Sequence, residues 1–136
     1  MMGLKRHKFQ LIIAILLFFA IITQVQGISW PTETVDTAGL PDTGTSIALD
    51  GSGNPRISYC DNTNDYLKYA YKDGSGWHNE TADSTADVGW YSSLALDGSG
   101  NPHVSYYDYT SFDLKYAWKG GSGWTNVTID STGNVG

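Results

Sequence analysis

The 136-residue sequence contains a single cysteine, Cys60, so no intramolecular disulfide can form. Basic residues are also few, with eight Lys and Arg against fourteen Asp and Glu. Outside residues 1–27, no segment repeats its apolar residues with the 3.6-residue period of a helix. These absences exclude a disulfide-stabilised scaffold and a helical bundle, and they leave packing as the source of stability.

The first 27 residues have the layout of a secretory signal peptide. Lys5, Arg6 and Lys8 precede a 12-residue apolar run, Leu11–Ile22, and small residues occupy the expected cleavage positions up to Gly27. The run is shorter than the roughly 20 residues of a membrane-spanning helix, and retention as an N-terminal anchor is the alternative. We therefore expect a secreted or cell-surface protein with no membrane contact after cleavage.

Removal of residues 1–27 leaves an acidic chain. The remaining 109 residues carry five basic and fourteen acidic side chains, a net charge of −9. Such a surface repels nucleic-acid phosphates and anionic lipids, so neither is an expected partner. An acidic balance is also ordinary in soluble exported proteins and by itself indicates no particular ligand.

An internal repeat of 47 residues dominates the rest of the sequence. Residues 37–83 align with residues 84–130 without a gap, and 25 of the 47 positions are identical. Residues 28–36 match the end of each repeat, and residues 131–136 match its beginning. Each repeat contains four short segments of alternating apolar and polar residues separated by turn residues, the pattern of β-strands. The sequence therefore predicts an all-β protein with two complete four-stranded units and partial units at both ends.

A longer pattern within each repeat is specific enough to suggest a family. The pattern LDGSGNPRISYCD, followed by LKYAYKDGSGW, recurs as LDGSGNPHVSYYD followed by LKYAWKGGSGW. It resembles the blades of secreted and cell-surface β-propeller repeat proteins of bacteria and archaea. The resemblance implies blades of four antiparallel strands, with residues 28–36 as the fourth strand of a neighbouring blade. The blades look loosely like those of the sialidase-like superfamily, but the Asp-box pattern S-x-D-x-G-x-x-W is absent, so sialidase chemistry does not follow.

Two blades form an incomplete ring. Propellers have roughly four to eight blades, and stacked repeat units bury their apolar faces only against one another. We therefore expect either further repeats in a longer chain or self-association of several copies.

The turn DGSGNP occurs unchanged in both repeats, at residues 50–55 and 97–102. Its alternate Asp, Ser and Asn are typical of the start of a calcium loop, but proline stands where an EF-hand loop requires glycine, and no helix follows. A hairpin turn fits better, because Asp can accept backbone amides, glycine can take positive φ and proline fixes the next strand. We predict structural turns with no metal or other cofactor, and a calcium site as the alternative. The turn residues are Asp50, Gly51, Gly53, Pro55, Asp97, Gly98, Gly100 and Pro102.

The loops predicted at the other end of the blades differ between the repeats. Residues 37–45 differ from 84–92, and residues 62–66 differ from 109–113. Diverging loops on a common scaffold are free to specialise, so we expect functional residues there. Exposed aromatic side chains can stack on sugar rings or anchor a protein partner. The candidate ligand-binding residues are Trp90, Tyr91, Tyr109, Phe112 and Asp113; the alternative for Trp90 and Tyr91 is packing between blades.

Residues suited to catalysis are few. Arg56 is the only arginine after residue 27, whereas a sialidase-type site needs several. His78 and His103 stand at different repeat positions, with no neighbour at zinc-ligand spacing. Four aspartates could supply a carboxylate pair for glycoside hydrolysis, although turn capping or solvation is the favoured interpretation. They are Asp42, Asp61, Asp87 and Asp108.

Three further residues have equivalents in the neighbouring repeat. Asn79 and Asn126 begin the N-glycosylation sequons NET and NVT at equivalent positions of the predicted fourth strands. Glycans there would project from the rim, but duplication of one chance occurrence explains both equally well. Cys60 is replaced by Tyr107 in the second repeat, which predicts a buried, unreactive thiol on a strand.

These features predict a binding or recognition scaffold, with carbohydrate or a surface protein as its partner. The first alternative is a fragment of a propeller-type glycoside hydrolase or lyase whose catalytic residues lie in other blades. The second is a structural repeat of an envelope or adhesion protein.

Overall fold

The structure is a computed structural model that describes residues 29–37 and 44–135. The predicted signal peptide and Asp42 lie outside the described residues. The chain divides into two compact units, Met1–Glu33 and Thr34–Gly136. Of the first unit, only residues 29–33 are described, and they have no regular secondary structure. Every strand described below belongs to the second unit.

Eight β-strands form two open antiparallel sheets of four strands each. The first sheet contains β1 (Thr45–Leu49), β2 (Pro55–Asp61), β3 (Tyr66–Asp73) and β4 (Gly76–Asp83). The second sheet contains β5 (Val88–Leu96), β6 (Pro102–Asp108), β7 (Asp113–Gly120) and β8 (Gly123–Asp130). Consecutive strands are neighbours in each sheet, and the described ranges contain no helix. The predicted all-β class and the four-stranded units are confirmed.

The two sheets have the same register at equivalent repeat positions. Ile47 pairs with Ile57 in the first sheet, and their equivalents Leu94 and Val104 pair in the second. Short turns of two to five residues join consecutive strands within each sheet, and hairpin turns of this length place sequential strands side by side. The alternating residues then point to opposite faces, so each sheet presents one apolar row to its neighbour.

The core lies between the two sheets, where β5 packs against β1, β2 and β3. Leu94 of β5 is 9% exposed in this core, whereas its equivalent Ile47 is 65% exposed. Full burial of such a side chain contributes about 1.5–3 kcal/mol, so stabilisation is concentrated at this interface. The buried residues are Leu67, Tyr69, Ala82, Val88, Leu94, Val104, Tyr106 and Ala117.

Close contact between β5 and β3 depends on one glycine. A Cβ atom added to Gly89 would lie 2.8 Å from Leu67 Cα, and Gly89 has φ +96°. Both the space and the left-handed backbone therefore require glycine at this position.

A buried ionic network also joins the sheets, centred on the fully buried side chain of Asp83. Its carboxylate accepts hydrogen bonds from the Tyr106 hydroxyl (2.6 Å) and from the backbone amide of Thr85 (2.9 Å), and Lys115 Nζ lies 2.8 Å away. A second carboxylate, that of Asp108, lies 3.7 Å from Lys115 Nζ. Burial alone would raise the pKa of Asp83, but Lys115 and the hydrogen bonds from Tyr106 and Thr85 outweigh it, so the pKa is lowered.

The segment before β1 contacts the first sheet in the way that β4 contacts the second. The Tyr59 hydroxyl donates to Asp36 Oδ2 at 2.5 Å, as its equivalent Tyr106 donates to Asp83. No strand is assigned to residues 29–37, where the sequence predicted a leading fourth strand. Hydrogen bonds from side chains of the first sheet reach this segment: Tyr59 donates to Asp36, and Asn79 Nδ2 donates to the Val35 carbonyl.

The segment after β8 likewise repeats an earlier contact. The amide of Val135 donates to the Phe112 carbonyl at 3.1 Å, as the amide of Val88 donates to the Asp65 carbonyl at 3.2 Å. These two pairs are 47 residues apart, so residues 131–135 follow the second sheet as residues 84–88 follow the first.

Cys60 lies buried on β2, as the sequence predicted. Its thiol donates to Asn62 Oδ1 at 3.2 Å and lies 3.5 Å from the Val88 carbonyl of the second sheet. In the described part of the chain, no helix has the length and apolar character needed to span a membrane.

Candidate functional site

The diverging loops gather at one end of the sheets, which we call the loop end. There the connection 84–87 meets the loops 62–65 and 109–112. Two backbone hydrogen bonds join them, from the Val88 amide to the Asp65 carbonyl (3.2 Å) and from the Tyr109 amide to the Asp87 carbonyl (2.8 Å). The DGSGNP turns lie at the opposite end, the turn end, because successive antiparallel strands reverse direction.

An aromatic cluster of five side chains forms at the loop end of the second sheet. The Trp90 and Tyr109 rings stack 4.8 Å apart with an interplanar angle of 20°. Phe112 lies 6.2 Å from Tyr109, and Tyr91 lies 6.3 Å from Trp90. Four of the five predicted ligand-binding residues are thus brought together. The aromatic cluster consists of Trp90, Tyr91, Tyr107, Tyr109 and Phe112.

Irregular pairing at the start of β5 positions the first two rings. The register between β5 and β6 shifts on both sides of Trp90, which pairs with Tyr107. Such bulges change the direction of side chains relative to a regular strand. The Trp90 indole donates through Nε1 to Asp87 Oδ1 at 2.6 Å, which fixes its ring plane.

Three rings of the aromatic cluster are strongly exposed. Tyr91 is 67% exposed, Tyr109 50% and Phe112 46%. Tyr91 and Phe112 also have positive φ, 52° and 65°. A bulky side chain in this conformation costs about 1 kcal/mol or more, and the exposed rings recover little of that by burial.

Comparison with the first sheet shows which of these residues are specialised. Gly44 stands at the position equivalent to Tyr91 and has φ 96°, while Asp65 is equivalent to Phe112 and has φ 63°. The backbone shape is therefore common to both repeats, but the exposed aromatic rings belong only to the second. Among the described residues, Trp90 and Tyr91 make ring contacts with members of the aromatic cluster and with no aromatic ring of the first sheet.

Two further residues complete the description of this site. Tyr107 was interpreted from the sequence only as the counterpart of Cys60, yet its ring lies 6.3 Å from Tyr109 and 6.5 Å from Tyr91. Asp113 begins β7 directly after Phe112 and is half-buried.

The DGSGNP turns have the hydrogen bonds expected of turns. Asp50 Oδ1 accepts from the backbone amides of Ser52 and Asn54, both at 2.9 Å. Asp97 makes the equivalent bonds in the second repeat, and its hydrogen bonds from Asn101 lower its pKa to about 2. Both carboxylates are thus held ionised by turn amides.

The second glycine of each turn has the same backbone conformation in both repeats. Gly53 has φ 81° and Gly100 has φ 82°, which glycine adopts without steric cost. The proline of each turn, Pro55 or Pro102, begins the next strand. Within the described ranges, no group of three or more His, Cys, Asp or Glu side chains is placed to hold a metal ion.

A shallow groove of about 390 Å³ lies between the sheets at the turn end, which the sequence did not predict. Arg56 and Lys119 line it and lie 5.3 and 5.8 Å from the Tyr71 ring centroid. Each cation has a carboxylate partner at 2.6 Å, Asp50 for Arg56 and Glu80 for Lys119. The groove therefore presents ion pairs whose charges are already balanced.

The aspartates considered for catalysis are engaged in the fold. Asp61 Oδ1 accepts from the Thr63 amide at 3.0 Å, and Asp108 Oδ1 accepts from the Thr110 amide at 2.9 Å. Asp87 is bound to the Trp90 indole. Each carboxylate therefore has a local structural role.

The two histidines are also held by neighbours. His78 Nε2 lies 3.1 Å from Asp73 Oδ1, and His103 is hydrogen-bonded to the Tyr116 hydroxyl. These pairs are separate contacts on different sheets.

Each sequon asparagine contacts the residue that lies 44 positions earlier in the chain. Asn79 Nδ2 donates to the Val35 carbonyl and Asn126 Nδ2 donates to the Ala82 carbonyl, each at 3.2 Å. This shared contact gives a structural reason for asparagine at both positions.

Comparison with protein-family models and with curated proteins gives no match for this sequence. The functional argument therefore depends on the geometry of the aromatic cluster.

Proposed function

We propose that this protein is an exported binding module in which the aromatic cluster holds a carbohydrate. The observation that carries the proposal is the group of exposed rings of Tyr91, Tyr109 and Phe112 at one end of a rigid sheet. Sugar rings present apolar C–H faces that stack on such planes, while their hydroxyl groups stay in water. The stacked Trp90 ring supports Tyr109 from behind, so the exposed ring is held in one orientation.

The strain in the loop supports a functional role. Tyr91 keeps an unfavourable φ of 52° at a position where the other repeat has glycine. Strained backbone conformations cluster at binding and active sites. The strain at Tyr91 therefore supports contact of its ring with a ligand.

A carbohydrate accounts for the size of the surface better than a protein does. A stable protein interface uses about 20–30 residues on each side, whereas the aromatic cluster has five. A short saccharide needs only a few stacked planes and neighbouring polar groups.

We also propose that the two sheets are blades of a propeller. The contacts that recur at intervals of 47 residues support this arrangement, since both end segments engage the sheets as the internal connections do. In such a ring, the loop end of successive blades forms one face. The ligand would then lie across that face, with the second blade supplying its aromatic part.

An enzymatic function is the weaker alternative, because Asp61, Asp87 and Asp108 already have turn or indole partners. A glycosidase requires an acid and a second carboxylate that are free to act on the substrate. Hydrolysis of a polysaccharide by the purified chain, lost in an Asp108→Asn variant that still folds, would overturn our preference.

The binding proposal is tested with a glycan array probed by the purified full chain. We expect specific binding that falls at least tenfold in Tyr109→Ala and Tyr91→Ala, because each removes a stacking plane. Ile129→Ala is the matched control: it removes an exposed apolar side chain of β8, outside the aromatic cluster, and should leave binding unchanged. An array without specific signal, or equal loss in all three variants, would contradict the proposal.

A further inference from the structure

The two ends of the sheets differ in charge. Arg56, Lys72 and Lys119 lie at or next to the turn end, together with Asp50, Asp73 and Asp97. At the loop end, the described part of the second unit has eight aspartates, and only Lys68 and Lys115 lie on nearby strand positions. The eight are Asp36, Asp61, Asp65, Asp83, Asp87, Asp108, Asp113 and Asp130.

Two lysines against eight aspartates give the described part of the loop end a net negative charge. Lys115 is buried and is paired with Asp83 and Asp108. Lys68 is half-buried on β3 of the first sheet. The field at the loop end therefore favours a cation.

The exposed rings of the aromatic cluster are also free of internal cations. Cation–π contacts in the described ranges involve the rings of Tyr71, Trp77 and Tyr106. None of these rings belongs to the aromatic cluster. The negative π-faces of Tyr91, Tyr109 and Phe112 thus remain open to a cation from outside.

We propose that the saccharide held by the aromatic cluster carries protonated amino groups, as amino-sugar oligomers do. This inference rests on the proposed carbohydrate-binding function and names the class of its ligand. An ammonium group is attracted both by the ring quadrupole and by the carboxylates. Asp108 lies between Tyr107 and Tyr109 in the sequence but is paired with Lys115. Asp113 directly follows Phe112, and Asp87 is three residues before Trp90. Uronic-acid or sulfated saccharides are repelled by the same field.

Three tetrasaccharides, of which only one carries charged amino groups, test this inference. Calorimetry is performed with the glucosamine tetramer, its N-acetylated form and the neutral glucose tetramer, each titrated into the purified full chain. One exposed cation–π contact together with the acidic field predicts that the glucosamine tetramer binds about fivefold more tightly than the N-acetylated form. That preference should shrink at 1 M salt, because screening removes the longer-range part of the attraction.

Two variants test which end of the sheets produces the preference for the glucosamine tetramer. Asp113→Asn should reduce the preference for the glucosamine tetramer about twofold without weakening the N-acetylated form. Asp73→Asn, which removes an exposed carboxylate at the turn end, should leave the preference unchanged. If either variant loses its native circular dichroism, the salt dependence of the preference for the glucosamine tetramer, measured with the unaltered chain, still tests the inference.

The outcomes separate the two proposals. Equal binding of the three tetramers, or tighter binding of an uncharged one, would overturn this inference and leave carbohydrate binding intact. Absence of binding by all three would overturn this inference, and the glycan array then decides whether carbohydrate binding itself stands.

Discussion

Replacement of Asp83 by asparagine tests how the two sheets are held together. The Asp83 carboxylate, buried between the sheets, accepts from the Tyr106 hydroxyl at 2.6 Å and lies 2.8 Å from Lys115 Nζ. Asparagine preserves the shape but carries no charge, and the next carboxylate, Asp108, lies 3.7 Å from the ammonium group. Lys115 would then stay buried with incomplete compensation.

The expected magnitude follows from that loss. Removal of one partner of a buried ion pair costs about 3–5 kcal/mol, against a total of about 5–15 kcal/mol for a domain. For a chain of about this size, each kcal/mol shifts the melting temperature by about 4–8 °C. We therefore expect Asp83→Asn to lower the melting temperature by about 12 °C or more.

The repeat supplies the control for this experiment. Asp130 stands 47 residues after Asp83 and accepts the equivalent bond from the Thr132 amide at 2.8 Å, but it is exposed. Asp130→Asn should change the free energy of unfolding by no more than about 0.5 kcal/mol. Urea unfolding monitored by circular dichroism at pH 7 measures both variants. Equal losses of unfolding free energy in the two variants, or a loss below about 1 kcal/mol for Asp83→Asn, would contradict the role of Asp83 in holding the sheets together.

The remaining predictions concern strain, packing and acid. Tyr91→Gly should weaken saccharide binding at least tenfold. Its free energy of unfolding in urea should change by no more than about 1 kcal/mol, because relief of the positive φ offsets the lost ring contacts. A larger destabilisation would show that the ring stabilises the fold instead. Gly89→Ala should lower the free energy of unfolding by about 2 kcal/mol or more. Gly98→Ala is the control, because open space surrounds Gly98, and it should lower that free energy by less than about 1 kcal/mol. Similar urea midpoints for the two variants would contradict the close contact of Gly89 with Leu67. Since Asp83 and Glu80 have lowered pKa values in the fold, the unfolded chain binds protons first as the pH falls. Stability should therefore be constant near neutral pH and decline below about pH 4, and a melting temperature that rises on acidification would contradict this sign.

Local features of the sequence were sufficient to predict the strands and turns. The alternation in segments such as Tyr66–Asp73 has the two-residue period of a strand, and the DGSGNP turns carry their own glycine and capping aspartate. Each of these signals acts within a few residues. For this reason, the four-stranded units were predictable without knowledge of what packs on them.

The candidate site was only partly predictable, because its geometry depends on contacts between strands. The divergence of the loops indicated Trp90 and Tyr109, but their stacking follows from irregular pairing of β5 with β6. Tyr107 joins the aromatic cluster through the same register. The ion pair of Lys119 on β7 with Glu80 on β4 joins residues 39 positions apart in the chain. No local pattern carries such information.

Binding at the aromatic cluster is tested most directly by the indole N–H resonances of the 15N-labelled chain. The Trp90 indole donates to Asp87 and stacks on Tyr109, so a ligand on the exposed rings should shift its resonance as the glucosamine, N-acetylglucosamine or glucose tetramer is added. Trp90→Phe assigns the signal, and the other tryptophans serve as internal references; they are Trp30, Trp77, Trp118 and Trp124. The account predicts a saturable shift at Trp90 that exceeds those of the other four. An unmoved Trp90 resonance, or a larger shift at Trp77 or Trp124, would contradict it.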